Sequence, residues 1–191
     1  MVNYSNKMRK VVNMANSSIS FEEEEIIRSK FIALLLSGAE RPIKTRINFQ
    51  KELFIFSKSF PKFFDSFDFV PHYYGPYSRI AEDIIENYDD YFISDKNGIY
   101  LTSEGKKLGE ESIQEFSEKN REKIEISRNI VRSLYDSLSN DELMFLVYKT
   151  YGYTEKSEVI ERLLEKKEYL ASRLLKKGII TEKRYQELVA N

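Results

Sequence analysis

Two short apolar runs on either side of an Asn-Gly dipeptide most restrict the fold of this chain. The runs occupy residues 91–94 and 99–101, and the residues between them end in Asn97-Gly98. Asn-Gly between apolar runs is a strong short-range signal for a β-hairpin, because both residues tolerate the positive φ of a tight turn. The sequence therefore predicts one two-stranded ribbon in a chain whose other segments have helical periodicity.

A first helix is predicted between Ser20 and Gly38. Ser20 and Glu23 have the spacing of a capping box, in which each side chain accepts a hydrogen bond from the other residue's backbone N–H. Apolar residues then recur at helical spacing until Gly38, a residue type that commonly follows the last turn of a helix.

The second predicted helix, residues 44–57, carries apolar and basic residues on different faces. The residues expected to face the core are Ile47, Leu53, Phe54 and Phe56. The residues expected to remain in water are Lys44, Arg46, Lys51 and Lys58.

A third helix is predicted from Gly75-Pro76 to about Tyr88. Proline is tolerated at the first helical position, because the N–H that it lacks would have no partner there. Residues 69–74, which contain Pro71, are expected to form a short extended piece. The residues predicted to face inward are Ile80, Ala81, Ile84, Ile85 and Tyr88. The residues predicted to face outward are Arg79, Glu82, Asp83, Glu86 and Asn87.

Helices are also predicted after the ribbon. Thr102 stands at an N-cap position, and the charge-rich residues 110–123 are the best candidate for a linker. Further helices are predicted over residues 121–137, over 141–151 with Ser139 as the cap, over 156–177 with Gly178 as terminator, and from Thr181 to Leu188.

The order of these elements predicts a mainly α fold with a small β-hairpin. Three helices, a two-stranded ribbon and another helix follow one another as in a winged helix-turn-helix domain, whose wing is the ribbon. We place this domain at residues 20–118, after an N-terminal segment, 1–19, that is expected to be flexible. Residues 119–191 are predicted to form a C-terminal helical region for interaction or dimerisation.

Three short motifs lie in the predicted domain. They are Arg-Ile-Asn-Phe-Gln-Lys at 46–51, Tyr-Tyr-Gly-Pro-Tyr-Ser at 73–78 and Leu-Thr-Ser-Glu-Gly at 101–105. Together they resemble the YwgA-like family of uncharacterised prokaryotic winged-helix proteins. The Tyr-Gly-Pro motif after a Gln-Lys helix is similar, more distantly, to the Panacea domain of SocA-like antitoxins.

Two C-terminal segments extend the resemblance. Residues 148–154 with Ser157 resemble the C-terminal part of YwgA-like chains. Residues 174–181 with Tyr185 and Leu188 look like a SHOCT-type helical tail, a short interaction element. The resemblance implies a winged-helix fold and a regulatory or toxin–antitoxin setting, and it brings no catalytic residues with it.

The composition disfavours an enzyme. The 191-residue chain has no Cys and a single His, His72. Thiol nucleophiles and thiolate metal sites are therefore excluded, and any imidazole base would have to be His72. No glycine-rich phosphate loop or dinucleotide fingerprint occurs. We expect no catalytic residue, no metal and no cofactor.

The sequence also predicts a cytoplasmic protein without membrane contact. The longest purely apolar run, residues 31–36, is far shorter than the roughly 20 residues of a transmembrane helix. The first 20 residues lack the continuous apolar core of a secretion signal.

Duplex DNA is the first candidate partner. Because 30 Lys and Arg residues oppose 31 Asp and Glu residues, affinity for DNA would require a local basic patch. The candidate phosphate contacts are Lys44, Arg46, Lys51, Arg79 and Lys96. The alternative is that these side chains only solvate helix faces, and the acidic outer face of the third helix disfavours its insertion into a groove.

A protein partner is the second candidate. Tyr74 and Tyr77 either contact that partner or pack on neighbouring phenylalanines. The leucine stripe that includes Leu170 and Leu174 either builds a homodimer or packs within the chain. We therefore expect a non-enzymatic regulator of transcription-factor or antitoxin type that binds DNA, or alternatively a protein-interaction module without DNA contact. A clustered basic surface favours the first hypothesis and exposed aromatic residues around Tyr74 and Tyr77 favour the second.

Overall fold

The chain is mainly helical with two small antiparallel hairpins. The computed structural model describes residues 20–38, 41–152, 157 and 159–190, so the predicted N-terminal segment 1–19 lies outside the described residues. The elements in chain order are α1 (Phe21–Ser37), α2 (Arg46–Lys58), α3 (Pro61–Ser66), β1 (Val70–His72), β2 (Gly75–Tyr77), α4 (Arg79–Asn87), β3 (Phe92–Asp95), β4 (Gly98–Leu101), α5 (Ser103–Gln114), α6 (Glu118–Ser137), α7 (Asn140–Tyr151), α8 (Ile160–Glu165), α9 (Lys167–Lys176) and α10 (Glu182–Ala190).

The helix starts predicted from capping residues are confirmed. Ser20 and Glu23 form a capping box at α1, and Ser139 with Glu142 forms a second one at α7. Thr102 accepts a hydrogen bond from the Gly105 N–H at the start of α5. Each cap satisfies backbone N–H groups that have no partner within the first turn of a helix.

The ribbon β3–β4 is confirmed at the predicted place. Its strands pair from Phe92 opposite Leu101 to Asp95 opposite Gly98. The segment between α1 and α2 joins it through Ile43, which exchanges two backbone hydrogen bonds of 2.9 and 2.8 Å with Ile99. A Cβ atom on Gly98 would lie 2.5 Å from the Ile43 carbonyl oxygen, so only glycine permits this approach.

The predicted start of the third helix is wrong. Pro76 lies in β2, opposite Pro71 of a second hairpin, and α4 begins at Arg79 with Ser78 as its N-cap. Gly75 has a φ of +102°, a conformation that an α-helix does not contain. Proline is compatible with the first turn of a helix and also with a strand position that needs no N–H for the sheet. The Gly75-Pro76 dipeptide alone therefore does not distinguish the start of a helix from a strand.

Other boundaries also differ from prediction. The aromatic-rich connection after α2 contains the short helix α3, which starts at Pro61. The charge-rich residues 110–123 are split by the end of α5 at Gln114 and the start of α6 at Glu118. The helix predicted over 156–177 is interrupted at Lys166, between α8 and α9.

The larger apolar core joins α1, α2, α4 and the ribbon to the first part of the C-terminal region. Phe31 stacks on Phe56 and Phe63 at ring-centroid distances of 4.7 and 4.2 Å. Ile124 of α6 and Val147 of α7 belong to the same core. Residues on both sides of position 118 therefore share one core, and the predicted division into two domains stays a prediction.

A buried hydrogen bond from a guanidinium to a carboxyl group connects α2 to α6. Arg132 donates from Nη1 to Glu52 at 2.8 Å and from Nη2 to the carbonyl oxygen of Arg41 at 2.9 Å. Glu52 is only 1% exposed. The loss of hydration raises the pKa of Glu52 to about 7, because it outweighs the attraction of Arg132.

Replacing Glu52 is expected to remove a pH dependence of the free energy of unfolding. Folded Glu52 keeps its proton up to about pH 7, whereas the unfolded chain releases it near the ordinary value of 4.5. The folded state therefore binds the extra proton in this interval, and stability falls by about 3 kcal/mol as pH rises through it. Urea unfolding at pH 5 and pH 8 should show this fall in the wild type and not in Glu52→Gln. The exposed Glu122→Gln on α6 is the matched control, and an unchanged slope in Glu52→Gln would contradict the raised pKa.

Candidate functional site

A buried polar network fixes the junction of α2, β2 and α4. Gln50 of α2 accepts a hydrogen bond from the Ser78 N–H at 2.8 Å and donates to the Ser78 carbonyl oxygen at 3.0 Å. The same amide donates to Glu82 of α4 at 3.1 Å. Ser78 in turn caps α4 by accepting from the Ala81 N–H. Because all these groups are satisfied, the hairpin is held in one position relative to both helices.

Arg46 joins α2 to α4 at this junction. Its Nη1 donates to the carboxylates of Glu82 and Glu86, one helical turn apart on α4. Hydrogen bonds to Glu86 and Glu82 raise the pKa of Arg46 above its ordinary value. The prediction that Glu82 faces outward is wrong, because Gln50 and Arg46 draw its carboxylate into the buried network.

A cavity of about 140 Å³ lies beside the junction. Its lining residues come from α2, the β1–β2 hairpin and α4 and are Arg46, Ile47, Gln50, His72, Tyr74, Gly75, Pro76, Tyr77 and Glu82. We use the name hairpin surface for Ile47, His72, Tyr74 and Tyr77 around this cavity. Ile47 was predicted to face the core, but 42% of it is exposed.

Aromatic and aliphatic side chains dominate the hairpin surface. Tyr74 is 45% exposed, and Val70 and Tyr73 next to it are also exposed. Tyr73 and Tyr77 form ring contacts with His72, at centroid distances of 4.9 and 5.0 Å. The rings of Phe63, Phe64 and Phe67 pack on other phenylalanines. A group of exposed apolar side chains around a cavity is typical of a binding surface.

The edges of the hairpin do not favour addition of a further strand. Pro71 of β1 lies directly opposite Pro76 of β2, and neither residue has an N–H. They therefore form a non-hydrogen-bonded pair, in which the backbone groups of both residues point away from the partner strand and toward the outer edges of the hairpin. An approaching strand finds carbonyl oxygens but no N–H donor there. Recognition at the hairpin surface therefore depends on side chains.

Lys51 is not a surface residue, so the prediction that it contacts phosphate is wrong. It is 2% exposed and forms no ion pair or hydrogen bond with another residue in the described part of the chain. A Cβ atom on Gly75 would lie 3.8 Å from Lys51 Cε and 3.6 Å from Tyr148, so the hairpin and α7 cover the lysine. Burial alone lowers the pKa of Lys51 to about 8.

The other predicted DNA contacts are exposed, and the two arginines among them are bound by carboxylates. Arg79 is exposed and paired with Asp83 at 2.8 Å, and Arg46 is held by two carboxylates. Lys44 and Lys96 are exposed. Both lie near the turn of the ribbon, since Ile43 pairs with Ile99 and Gly98 approaches the Ile43 carbonyl. Because Lys51 is buried, the five predicted cations do not form one exposed patch.

Leu170 and Leu174 are buried inside the chain, so the prediction that they contact a partner is wrong. Both lie in α9 and belong to a second core with Phe145 of α7 and Leu188 of α10. The sequence left packing within the chain as the alternative for this leucine stripe. Because the structure shows that packing, the stripe no longer supports a homodimer. Helical periodicity identifies an apolar face but not the surface that covers it.

Gln50 and Ser78, which organise the site, lie in two of the three sequence motifs, but the motifs assigned neither residue a role. Their signal was present, because Gln50 interrupts the apolar face of α2 beside Phe49 and Leu53, and such a polar residue needs an internal partner. Within the described ranges, no group of three or more His, Cys, Asp or Glu side chains is placed to hold a metal ion.

Comparison with known proteins assigns no family to the chain. No family model matches it, and no curated protein matches it significantly. Among the described helices, none has the length and apolar content required to cross a membrane.

Proposed function

We propose that this protein is a non-enzymatic regulatory module that binds another protein through the hairpin surface. The observation that carries the proposal is that the exposed side chains of Ile47 and Tyr74, from separate elements, line the same cavity. The polar network of Gln50 and Ser78 holds these elements in place before any partner binds. Such preorganisation lowers the entropy that is lost on association.

The proposed scaffold is a winged helix. Helices α1, α2 and α4 precede the ribbon β3–β4, and α5 follows it. The bridge between Ile43 and Ile99 supports this interpretation, because it attaches the ribbon to the segment between α1 and α2. A winged helix is also the fold that the resemblance to the YwgA-like family implies. The hairpin and α3 are then an insertion before the third helix of the motif.

The charge distribution favours a protein over DNA at this surface. Arg46 is already bound by Glu82 and Glu86, and Arg79 by Asp83. A phosphate would have to displace these carboxylates and would then lie beside them, which is electrostatically unfavourable.

Substitution in the hairpin surface is expected to abolish binding of the partner. Tyr74→Ser or Ile47→Asp should weaken capture of the partner from a lysate of the native host by more than about tenfold, because exposed aromatic and aliphatic anchors dominate such interfaces. The measurement is quantitative pull-down on the immobilised full chain. Hydrogen exchange with the captured partner should then show protection of residues 70–77.

A matched substitution distinguishes this surface from general stickiness. Tyr169 of α9 is also exposed, and Tyr169→Ser should leave capture unchanged. Thermal melting verifies that each variant is folded. Equal capture by the wild type and Tyr74→Ser, or protection that avoids residues 70–77, would contradict the proposal.

DNA binding by a transcription-factor or antitoxin type of regulator is the second candidate. It is favoured by the two exposed lysines, Lys44 and Lys96, near the turn of the ribbon. A random-sequence duplex should then bind, and binding should weaken steeply as salt rises. Lys96→Gln should lower the affinity and the salt dependence together. No binding at low salt would eliminate this candidate and leave the protein-binding proposal intact.

A further inference from the structure

A second, larger cavity lies on another part of the molecule. Its volume is about 480 Å³, within the range of roughly 300–1,000 Å³ that is typical of small-molecule sites. It lies between the end of α1, strand β4, α5 and α6. Its apolar lining residues are Leu36, Pro42, Ile99, Leu101 and Ile113. We call it the α5–α6 cavity.

Arg128 of α6 supplies the charged part of the lining. Its side chain crosses Gly38 so closely that a Cβ atom there would lie 2.0 Å from Cδ and Nε of the arginine. Gly38 has a φ of −84°, which other residues adopt easily, so the glycine is required for space and not for backbone conformation. The sequence therefore leaves room at Gly38 for Arg128.

The guanidinium of Arg128 has unused hydrogen-bonding capacity. Nη1 donates to Ser37 Oγ at 3.2 Å, and the buried Nε has no partner among the described residues. No described carboxylate lies within ion-pair distance of this guanidinium. Burial lowers the pKa of Arg128 below its ordinary value, and the attraction of Glu125 compensates only in part. The charged end of such a guanidinium is suited to an oxyanion.

The remaining charges around the cavity lie in water. Glu110, Glu125 and Lys106 are exposed, and Arg41 is exposed and paired with Asp136 at 2.6 Å. Water screens charges in such positions, so each of them influences a ligand less than the half-buried Arg128 does. Arg128 is the lining charge that is most withdrawn from water, and it is positive.

We propose that the α5–α6 cavity binds a small organic anion, with a carboxylate or phosphate on Arg128 and an apolar body against Ile99, Leu101 and Ile113. Lys106 at the rim adds a second attraction for the oxyanion. The site is separate from the hairpin surface. Since β4 forms one wall, a bound anion contacts the ribbon directly.

Titration with three probes tests the site. Phenyl phosphate, benzoate and inorganic phosphate are added to the full chain, and methyl NMR signals of Ile99, Leu101 and Ile113 are followed. At least one organic anion should shift these signals and bind more tightly than inorganic phosphate, because only the organic anions bury an apolar body. The tighter of the two identifies the preferred oxyanion.

Variants assign the interaction to Arg128. Arg128→Gln should weaken binding of the better probe by at least about tenfold, and Lys106→Glu by about threefold or more. Lys119→Gln, an exposed cation of α6 that does not line the cavity, should have no effect. Arg128→Gln also removes the packing of the arginine across Gly38 and can therefore prevent folding. If the Arg128→Gln variant does not fold, the Lys106→Glu variant decides the result.

Three results would overturn the proposal. The first is no shift of the three methyl signals with either organic anion. The second is unchanged affinity in folded Arg128→Gln, which would show that the arginine has only a structural role at the end of α1. The third is a weakening by Lys119→Gln, which changes one unit of charge, that is half or more of the weakening by Lys106→Glu, which changes two units; that result would indicate diffuse attraction to surface charge.

Discussion

Lys51→Met should stabilise the protein by about 3 kcal/mol at pH 7, which is an unusually large gain for one substitution. The lysine amine is buried without a partner in the described part of the chain, and its pKa falls from 10.5 to about 8. Each pKa unit corresponds to about 1.4 kcal/mol of lost preference for the charged form. Methionine occupies a similar volume and carries no charge. Urea unfolding at pH 7 measures the gain.

The gain should disappear at high pH. The unfolded lysine keeps its proton up to about 10.5 and the folded one only up to about 8, so the wild type gains stability as pH rises through this interval. The stability of Lys51→Met does not rise with pH in this way, because methionine does not titrate. Above this interval the wild type and the variant should be equally stable.

Lys58→Met provides the control on the same helix. Lys58 lies over the Phe64 ring, 3.6 Å from its centroid, so its removal should destabilise the protein by about 0.5–1 kcal/mol. A loss of stability in Lys51→Met at pH 7 would contradict the uncompensated burial of the lysine.

Glu142→Gln should have the largest opposite effect, a loss of about 2–3 kcal/mol at pH 7. The carboxylate is fully buried at the start of α7. It accepts hydrogen bonds from Arg173, Lys177 and the Ser139 N–H, each at 2.7 Å. An amide carries no charge and has only one acceptor oxygen, so it leaves the two cations without their partner. Thermal melting should show a lower Tm by roughly 5–10 °C.

The acid dependence tests the same contact. Burial by itself would raise the pKa of Glu142, but hydrogen bonds from Lys177, Ser139 and Arg173 outweigh it and lower the pKa to about 2. The resulting stability is present above the ordinary value of about 4.5 and is lost as pH falls toward 2. Glu142→Gln should lack this loss.

Asp141→Asn is the matched control for Glu142→Gln. Asp141 is the preceding residue and pairs with Arg162 near the surface at 2.8 Å. A partly exposed pair of this kind contributes little, so the control should lose less than about 1 kcal/mol. If both variants lose equal stability, the contacts of buried Glu142 with Arg173 and Lys177 do not hold α7 to α9.

The candidate site was only partly predictable from its residues. Tyr74 and Tyr77 were identified, and both line the cavity beside α2. Arg46 was identified as a cation, but its two carboxylate partners are 36 and 40 residues away in the chain. Helical periodicity predicted that Lys51 lies on the face of α2 that contacts water. This pattern is not decisive for lysine, because its long side chain is compatible with either face of a helix. The packing of distant segments, the hairpin and α7, over α2 makes Lys51 a buried residue.

The sequence by itself determined the helix caps and the ribbon. Ser20, Thr102 and Ser139 cap helices through hydrogen bonds to residues three positions away, and the residues around Asn97-Gly98 form their turn locally. These interactions involve neighbours in the chain, so residue type and spacing are sufficient to predict them. The tertiary structure decided which faces are covered: Lys51 and Leu174 are buried and Ile47 is exposed because of segments distant in sequence. Burial depends on such long-range packing, and a local pattern of apolar and charged residues does not specify it.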